Sequence, residues 1–251
     1  MMKRFIFSIF LLPLLLASPQ TKAQGIMLTP KWTAQAQFTG YYVADKLGFY
    51  KEEGIDVCVQ HPAISESSFS FMEKGRAPVV IMNLSYAFME RLAGARVVNV
   101  MQTSQENSLM LISHSPLKGE ESLRNQKIAV WNHLSQKLLD RLAEHYALKQ
   151  VEWIRFNSGV NVFLSGAADP CLVGSYNEYL QLSEYGMNVD SIYSIRLADY
   201  GYNLPEDGLY VTEEFYNQYP EVVRKLVKAS MRGWAWTNEH REEALDMVME
   251  E

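Results

Sequence analysis

The 251-residue sequence has only two cysteines, Cys58 and Cys171, and five dispersed histidines, His61, His114, His133, His145 and His240. No histidine stands at a recognised ligand spacing from another histidine, a cysteine or a carboxylate, so no metal site is expected and no cofactor is implied. A glycine-rich phosphate loop and a G-x-S-x-G nucleophile turn are both absent, which removes the commonest sequence signs of nucleotide and acyl-transfer chemistry. Basic charge is in deficit as well. Lys and Arg number 23 against 29 Asp and Glu, for a formal charge of −6. The basic residues are scattered among acids, whereas phosphate contacts require a basic face, so nucleic acid is excluded as a partner. There is no internal repeat, low-complexity segment or long linker.

The apolar stretch 5–16 is too short to span a bilayer, which takes roughly 20 residues, and Pro13 interrupts it. Lys3 and Arg4 precede it, and Thr21, Lys22 and Ala23 follow with small residues where a cut falls. Residues 1–23 therefore read as a signal peptide cleaved near Ala23. Neither cysteine lies near the cut, so no lipid anchor is expected, and the mature protein is expected to be soluble and periplasmic. Cleavage removes Lys3, Arg4, Lys22 and no acid, moving the formal charge from −6 to −9 and leaving 228 residues. That length supports one large domain or two lobes, and two lobes suit the pattern better. A disulfide is open to the cysteines in an oxidising compartment, but the predicted lobes separate them, so two buried thiols are expected.

Along the chain, apolar runs alternate with helical periodicity, the signature of an α/β class with largely parallel sheets. Strands are predicted at 26–28, 55–60, 79–82, 97–101, 128–131 and 171–173. Helices are predicted over 37–47, 67–74, 85–92, 135–148, 213–216, 220–237 and 241–249, and the βα cycle of the second lobe runs on through 159–166 and 176–185. Pro220 suits a helix start. The segment 109–113 is taken to cross out of the first lobe and 203–210 to return to it. This gives a first lobe of 24–113 and 204–251 and a second of 114–203.

The run 31–58, KWTAQAQFTGYYVADKLGFYKEEGIDVC, orders a loop, a helix with one apolar face, a turn and a strand. It resembles the start of the substrate-binding proteins of ABC transporters, in the family of thiamine-pyrimidine-precursor binders and the yeast-type pyrimidine synthase. The same texture recurs in 72–91 (MEKGRAPVVIMNLSYAFMER), 165–179 (SGAADPCLVGSYNEY) and 204–249, so the resemblance covers nearly all of the mature chain. It implies a two-lobed periplasmic binding protein fold of type II with a ligand cleft between the lobes, closed by hinge motion. It further implies a monomer that holds a small molecule and meets the membrane only through a permease. Relatives are longer, so part of the first lobe is expected beyond Glu251.

Candidate ligand residues follow from cleft position and chemistry. Trp32, just after the first strand, can stack on a flat heteroaromatic ring or serve the core. Gln37 offers a donor and an acceptor to an aminopyrimidine edge. Of Tyr41 and Tyr42, one is expected in the core and Tyr41 at the ligand. Ser65, Ser67, Asn83 and Ser85 occupy strand-to-helix turns, where they contact ligand or cap helices. Trp131 ends the first strand of the second lobe. Glu178, beside Tyr176, can accept charge-assisted hydrogen bonds from a ring amino group. The expected function is capture of a small heterocycle, a thiamine pyrimidine precursor, without catalysis. Two alternatives stand beside it: binding of an alkylsulfonate, nitrate or aromatic acid, and pyrimidine synthesis. The synthase of the resemblance uses a histidine, a lysine and a cysteine-rich motif, and 79–85 (VVIMNLS) has no cysteine.

Overall fold

The computed structural model describes residues 25–63, 66–117, 123, 125–131, 139–140, 143–144, 150–157 and 159–251. The expected signal peptide, Ser65, His133, His145 and most of the helix predicted over 135–148 lie outside the described residues. Ten strands are described: β1 (Ile26–Thr29), β2 (Val57–Val59), β3 (Val79–Asn83), β4 (Val97–Gln102), β5 (Leu109–Ser113), β6 (Lys127–Trp131), β7 (Glu152–Phe156), β8 (Cys171–Gly174), β9 (Tyr193–Arg196) and β10 (Asp207–Thr212). The described helices are α1 (Thr39–Lys46), α2 (Phe49–Glu52), α3 (Ser68–Glu73), α4 (Leu84–Leu92), α5 (Asn161–Leu164), α6 (Glu178–Glu184), α7 (Glu213–Gln218), α8 (Pro220–Glu239) and α9 (Arg241–Met249).

The strands form two five-stranded sheets, ordered β2-β1-β3-β10-β4 and β7-β6-β8-β5-β9. Both faces of each sheet are covered, because successive side chains on a strand point to opposite sides. Val79 and Ile81 join Leu209 and Val211 in a core under α1, α8 and α9, while Val80, Met82 and Tyr210 pack with Phe69 and Phe71 of α3 on the other face. The second sheet divides likewise. Ile112, Cys171 and Val173 face Phe163 and Leu182, and Leu111, Val130 and Leu172 face Leu139 and Leu197.

The sheets are mixed, where the sequence pattern predicts largely parallel ones. β1 pairs in parallel with β2 and β3, but β10 is antiparallel to β3 and β4. β6 pairs in parallel with β7 and β8, whereas β5 is antiparallel to β8 and β9. The reason is connectivity. The chain leaves the first sheet after Gln102 at the end where β1 and β3 finish, so β5 enters the second sheet from the facing end and must run against β6 and β8. β10 re-enters by the same route. Leu109–Ser113 is therefore not a passage out of the first lobe but an inner strand of the second sheet. The passages are 103–108 and 197–206. Cys58 also departs from expectation: it is exposed, Cys171 is buried, and both are free thiols.

The first lobe depends on one close approach. A Cβ on Gly40 of α1 would lie 2.3 Å from the Trp234 ring, and one on Gly233 of α8 would lie 2.0 Å from the Gly40 carbonyl oxygen. Two glycines thus let α1 and α8 touch backbone to backbone. Alanine favours a helix over glycine by about 1 kcal/mol, while overpacking a tight core costs about 1–3 kcal/mol, occasionally more. Against a backbone oxygen the steric cost wins. Gly233→Ala is expected to lower stability in chemical denaturation, and a variant as stable as the parent would show that the two helices can part freely.

Candidate functional site

The carboxyl ends of β1, β3, β6, β7 and β8 and the starts of β5 and β10 converge where the two sheets face each other, the usual ligand position in open α/β sheets. Lys31, two residues beyond β1, sits at the floor of this cleft. Its ammonium donates to Asn83 Oδ1 (2.7 Å) and is ion-paired with Asp207. Burial disfavours the charged lysine, but Tyr176, Asp207 and Glu206 around it prevail and hold its pKa above the ordinary lysine value. Glu206 is half-buried, and its carboxylate accepts from the backbone N–H and the hydroxyl of Ser108. Burial raises the Glu206 pKa, against the opposing pull of Lys31 and the Ser108 hydrogen bonds.

Across the cleft, the Tyr176 hydroxyl donates to Gln37 Oε1 at 2.9 Å, joining the second lobe to the first. The Gln37 amide nitrogen donates in turn to Gln35 Oε1 at 2.7 Å. Tyr176 keeps 42 % of its surface exposed, so it forms a wall of the cleft rather than part of a core. Trp131, half-buried at the end of β6, donates from its indole nitrogen to Glu178 Oε1 at 3.0 Å.

The structure brings Trp131, Tyr176, Gln37 and Asn83 to the cleft and engages Tyr41, Glu178 and Ser67 in contacts of the protein's own. Tyr41 and Tyr42 are both buried, not one of the two, because α1 is enclosed between the first sheet and α8; Tyr41 meets Trp234 edge-on and is left 1 % exposed, with no surface for a ligand. Glu178 is also buried. Trp131, Asn177 and the Gly174 N–H all donate to it, so its carboxylate braces the second lobe and orients Trp131. Ser67 caps α3 by accepting from Ser70 N at 3.1 Å. Ser85 lies half-buried in the first turn of α4. Trp32 is half-buried and packs against the first core. Lys31, Glu206 and Asp207 carry little local signal in the sequence beyond being polar residues at strand ends, Lys31 after β1 and Glu206–Asp207 at the start of the apolar β10. A groove of about 460 Å³ among Leu47, Phe49, Arg232 and Trp236 lies at the other end of α1, away from the strand ends. Among the described residues no cluster of His, Cys, Asp and Glu could hold a metal ion, and no helix is long and apolar enough to cross a membrane.

Residues 35–244 match the family model described as NMT1/THI5 like, and the chain belongs to that family. It is 29 % identical over 243 residues to the riboflavin-binding protein RibY of Chloroflexus aurantiacus, covering 92 % of this chain and 67 % of that protein. It is 24 % identical to the formylaminopyrimidine-binding protein of Halalkalibacterium halodurans, covering 99 % of this chain and 79 % of that one. With the 4-amino-5-hydroxymethyl-2-methylpyrimidine phosphate synthase THI13 of Saccharomyces cerevisiae identity is 22 %, over 79 % of this chain and 62 % of the synthase. The fold is that of the periplasmic binding proteins: the aliphatic sulphonate binding protein SsuA of Escherichia coli superposes with a TM-score of 0.68 at 14 % identity, covering 90 % of this chain and 78 % of that one.

His61 Nδ1 bonds the Trp32 carbonyl oxygen at 2.5 Å and its Nε2 meets the Tyr42 hydroxyl at 2.9 Å. Burial lowers the His61 pKa, with the Trp32 carbonyl and Glu251 opposing. A depressed folded-state pKa means the neutral ring contributes stability above the unfolded value of about 6.5 that is lost as pH falls below it. An imidazolium has no acceptor for Tyr42, so ligand affinity and Trp32-loop order should hold above pH 6.5 and decline on acidification. Titration from pH 8 to pH 5 tests this, and a His61→Gln variant with the same decline would place the cause elsewhere. For Glu178→Gln, an amide group must confront one of three donors. The substitution should cost about 1–3 kcal/mol of stability with shifted tryptophan fluorescence; an unchanged melt would remove Glu178 from the brace.

Proposed function

We propose that the protein is the extracytoplasmic solute-binding component of an ABC importer, and that it captures a neutral heterocycle containing a pyrimidine ring for a membrane permease. The observation that carries this reading is the character of the cleft: Trp131 and Tyr176 present aromatic surface beside Lys31, Asn83 and Gln37, the mixture of flat apolar walls and few polar groups that suits a small ring. Family membership supports it, with relatives named for riboflavin and for formylaminopyrimidine. Export through the signal peptide of 1–23 and action as a monomer complete the proposal.

The anion alternative meets an electrostatic obstacle. In the cleft, Lys31 is already paired with Asp207, and Glu206 adds a further carboxylate. A sulfonate would enter a field of unfavourable sign, and like-charge juxtaposition costs several kcal/mol. The synthase alternative finds no cysteine-rich segment, since Cys58 lies on an edge strand and Cys171 in the second core. We therefore assign binding, not catalysis. Calorimetric titration with riboflavin, formylaminopyrimidine and ethanesulfonate tests the reading. Saturable binding of a ring compound is expected, and the radius of gyration should shrink on saturation as the lobes close. Binding of ethanesulfonate alone would sink it.

A further inference from the structure

We propose that Lys31 and Glu206 together read the ligand's edge, and that they select a neutral nitrogen ring carrying an acceptor atom beside an N–H. The amidine edge of an aminopyrimidine and the imide edge of a flavin's pyrimidinedione ring share this chemistry. The inference rests on the binding-protein reading and goes beyond it by naming the residues that discriminate and the edge they recognise.

Geometry carries the argument. Two of the three Lys31 ammonium protons go to Asn83 and Asp207, and the side chain retains 19 % of its surface. One donor therefore remains for a ligand acceptor at the cleft floor. Glu206 lies beside it, half-buried, with its lone pairs only partly used by Ser108, since a carboxylate has about four acceptor sites. A fixed donor next to a fixed acceptor matches a ring edge with the reverse order.

Local choices point the same way. Asn83 stands at the N-cap of α4, where its side chain ordinarily accepts from the first turn, yet it makes no cap bond and accepts from Lys31 instead. A helix cap is given up to hold the ammonium in place. A partly buried ion pair is also weak support for stability, because well-packed apolar residues often do as well; its place at a strand end inside a cleft fits recognition better than packing. The surrounding groups keep Lys31 charged throughout the physiological range, so the donor is permanent. Both residues also adjoin the chain crossings. Glu206 ends the second, its carboxylate receives Ser108 of the first, and Tyr176 reaches across from the other lobe.

The test pairs variants with edge-blocked ligands. Lys31→Met, the charge-balanced Lys31→Met/Asp207→Asn, and Glu206→Gln are titrated with riboflavin and with 4-amino-5-hydroxymethyl-2-methylpyrimidine, while melting temperature is followed in each. Whichever probe saturates the parent identifies the source of the edge. That probe should bind at least about tenfold more weakly to Lys31→Met and to the balanced double variant, as expected for a lost hydrogen bond to a charged group, with the double variant melting close to the parent. N3-methylriboflavin, which lacks the N–H that Glu206 accepts, should bind the parent correspondingly weakly and lose nothing further in Glu206→Gln, and the pyridine counterpart of the aminopyrimidine, which lacks a ring acceptor for Lys31, should lose nothing further in Lys31→Met, since one interaction cannot be removed twice. A folded double variant with parental affinity, or losses that simply add, would overturn this assignment while leaving the binding function intact. A parent that binds neither ring and takes ethanesulfonate would overturn the functional reading, and this inference with it.

Discussion

One carbonyl oxygen organises the junction between the lobes. The Asp207 oxygen accepts from the backbone N–H groups of Thr103 and Ser104, at 3.0 and 3.1 Å, and from the side chains of Thr103 and Gln102, at 2.7 and 3.0 Å. The Gln102 amide also reaches Glu206 O and Ser104 O. Both crossings are thereby fastened to the start of β10 at a single point. Beyond it they are joined again where Asn107 meets Asn203 and Tyr202. Two strands of chain held side by side bend together more easily than they separate, which is the mechanical requirement for a hinge.

The same point links the hinge to the cleft chemistry. The Asp207 backbone holds the crossings while its carboxylate holds Lys31, and Lys31 holds Asn83 at the entrance of α4. Any ligand that engages the Lys31 ammonium therefore acts on groups bonded directly to the crossings. The cross-cleft side-chain bond from Tyr176 to Gln37 lies on the first-lobe loop 30–37 that His61 secures through the Trp32 carbonyl. Floor and wall thus belong to one connected network, and a conformational change in either is transmitted through packed, discrete contacts rather than through loose loop.

Which features were legible in the sequence depended on burial. β3 and β8, covered on both faces, appear as unbroken apolar runs and are predicted nearly to their ends, and Pro220 marks the first turn of α8 as expected. β7 and β9 are not foreseen. They are the two edges of the second sheet, partly exposed along their length, and EWIRF and YSIR carry no apolar run to announce a strand. Strand direction escapes for another reason. Apolar periodicity reports which face is buried but not which way the chain enters a sheet, so the reversal of β5 and β10 follows only from the position of the crossings.

The candidate site divides along the same line. Aromatic and amide residues near strand ends can be named from order alone, which brings in Trp131, Tyr176, Gln37 and Asn83. Whether such a residue faces the cleft or the core is a matter of what packs on the other side. Tyr41 is buried because glycines at 40 and 233 let α8 close over α1, a contact between residues 193 positions apart that no local pattern encodes. Lys31 is the converse case. In sequence it is one more lysine in a polar loop, and on a surface it would be solvated and of little consequence; it acquires its character from Asn83 and Asp207, 52 and 176 positions away, which arrive beside it only when two strands and a returning crossing end at the same place. Chemistry that depends on convergence of distant chain segments is a property of the topology, and recognition in a two-lobed protein is of that kind.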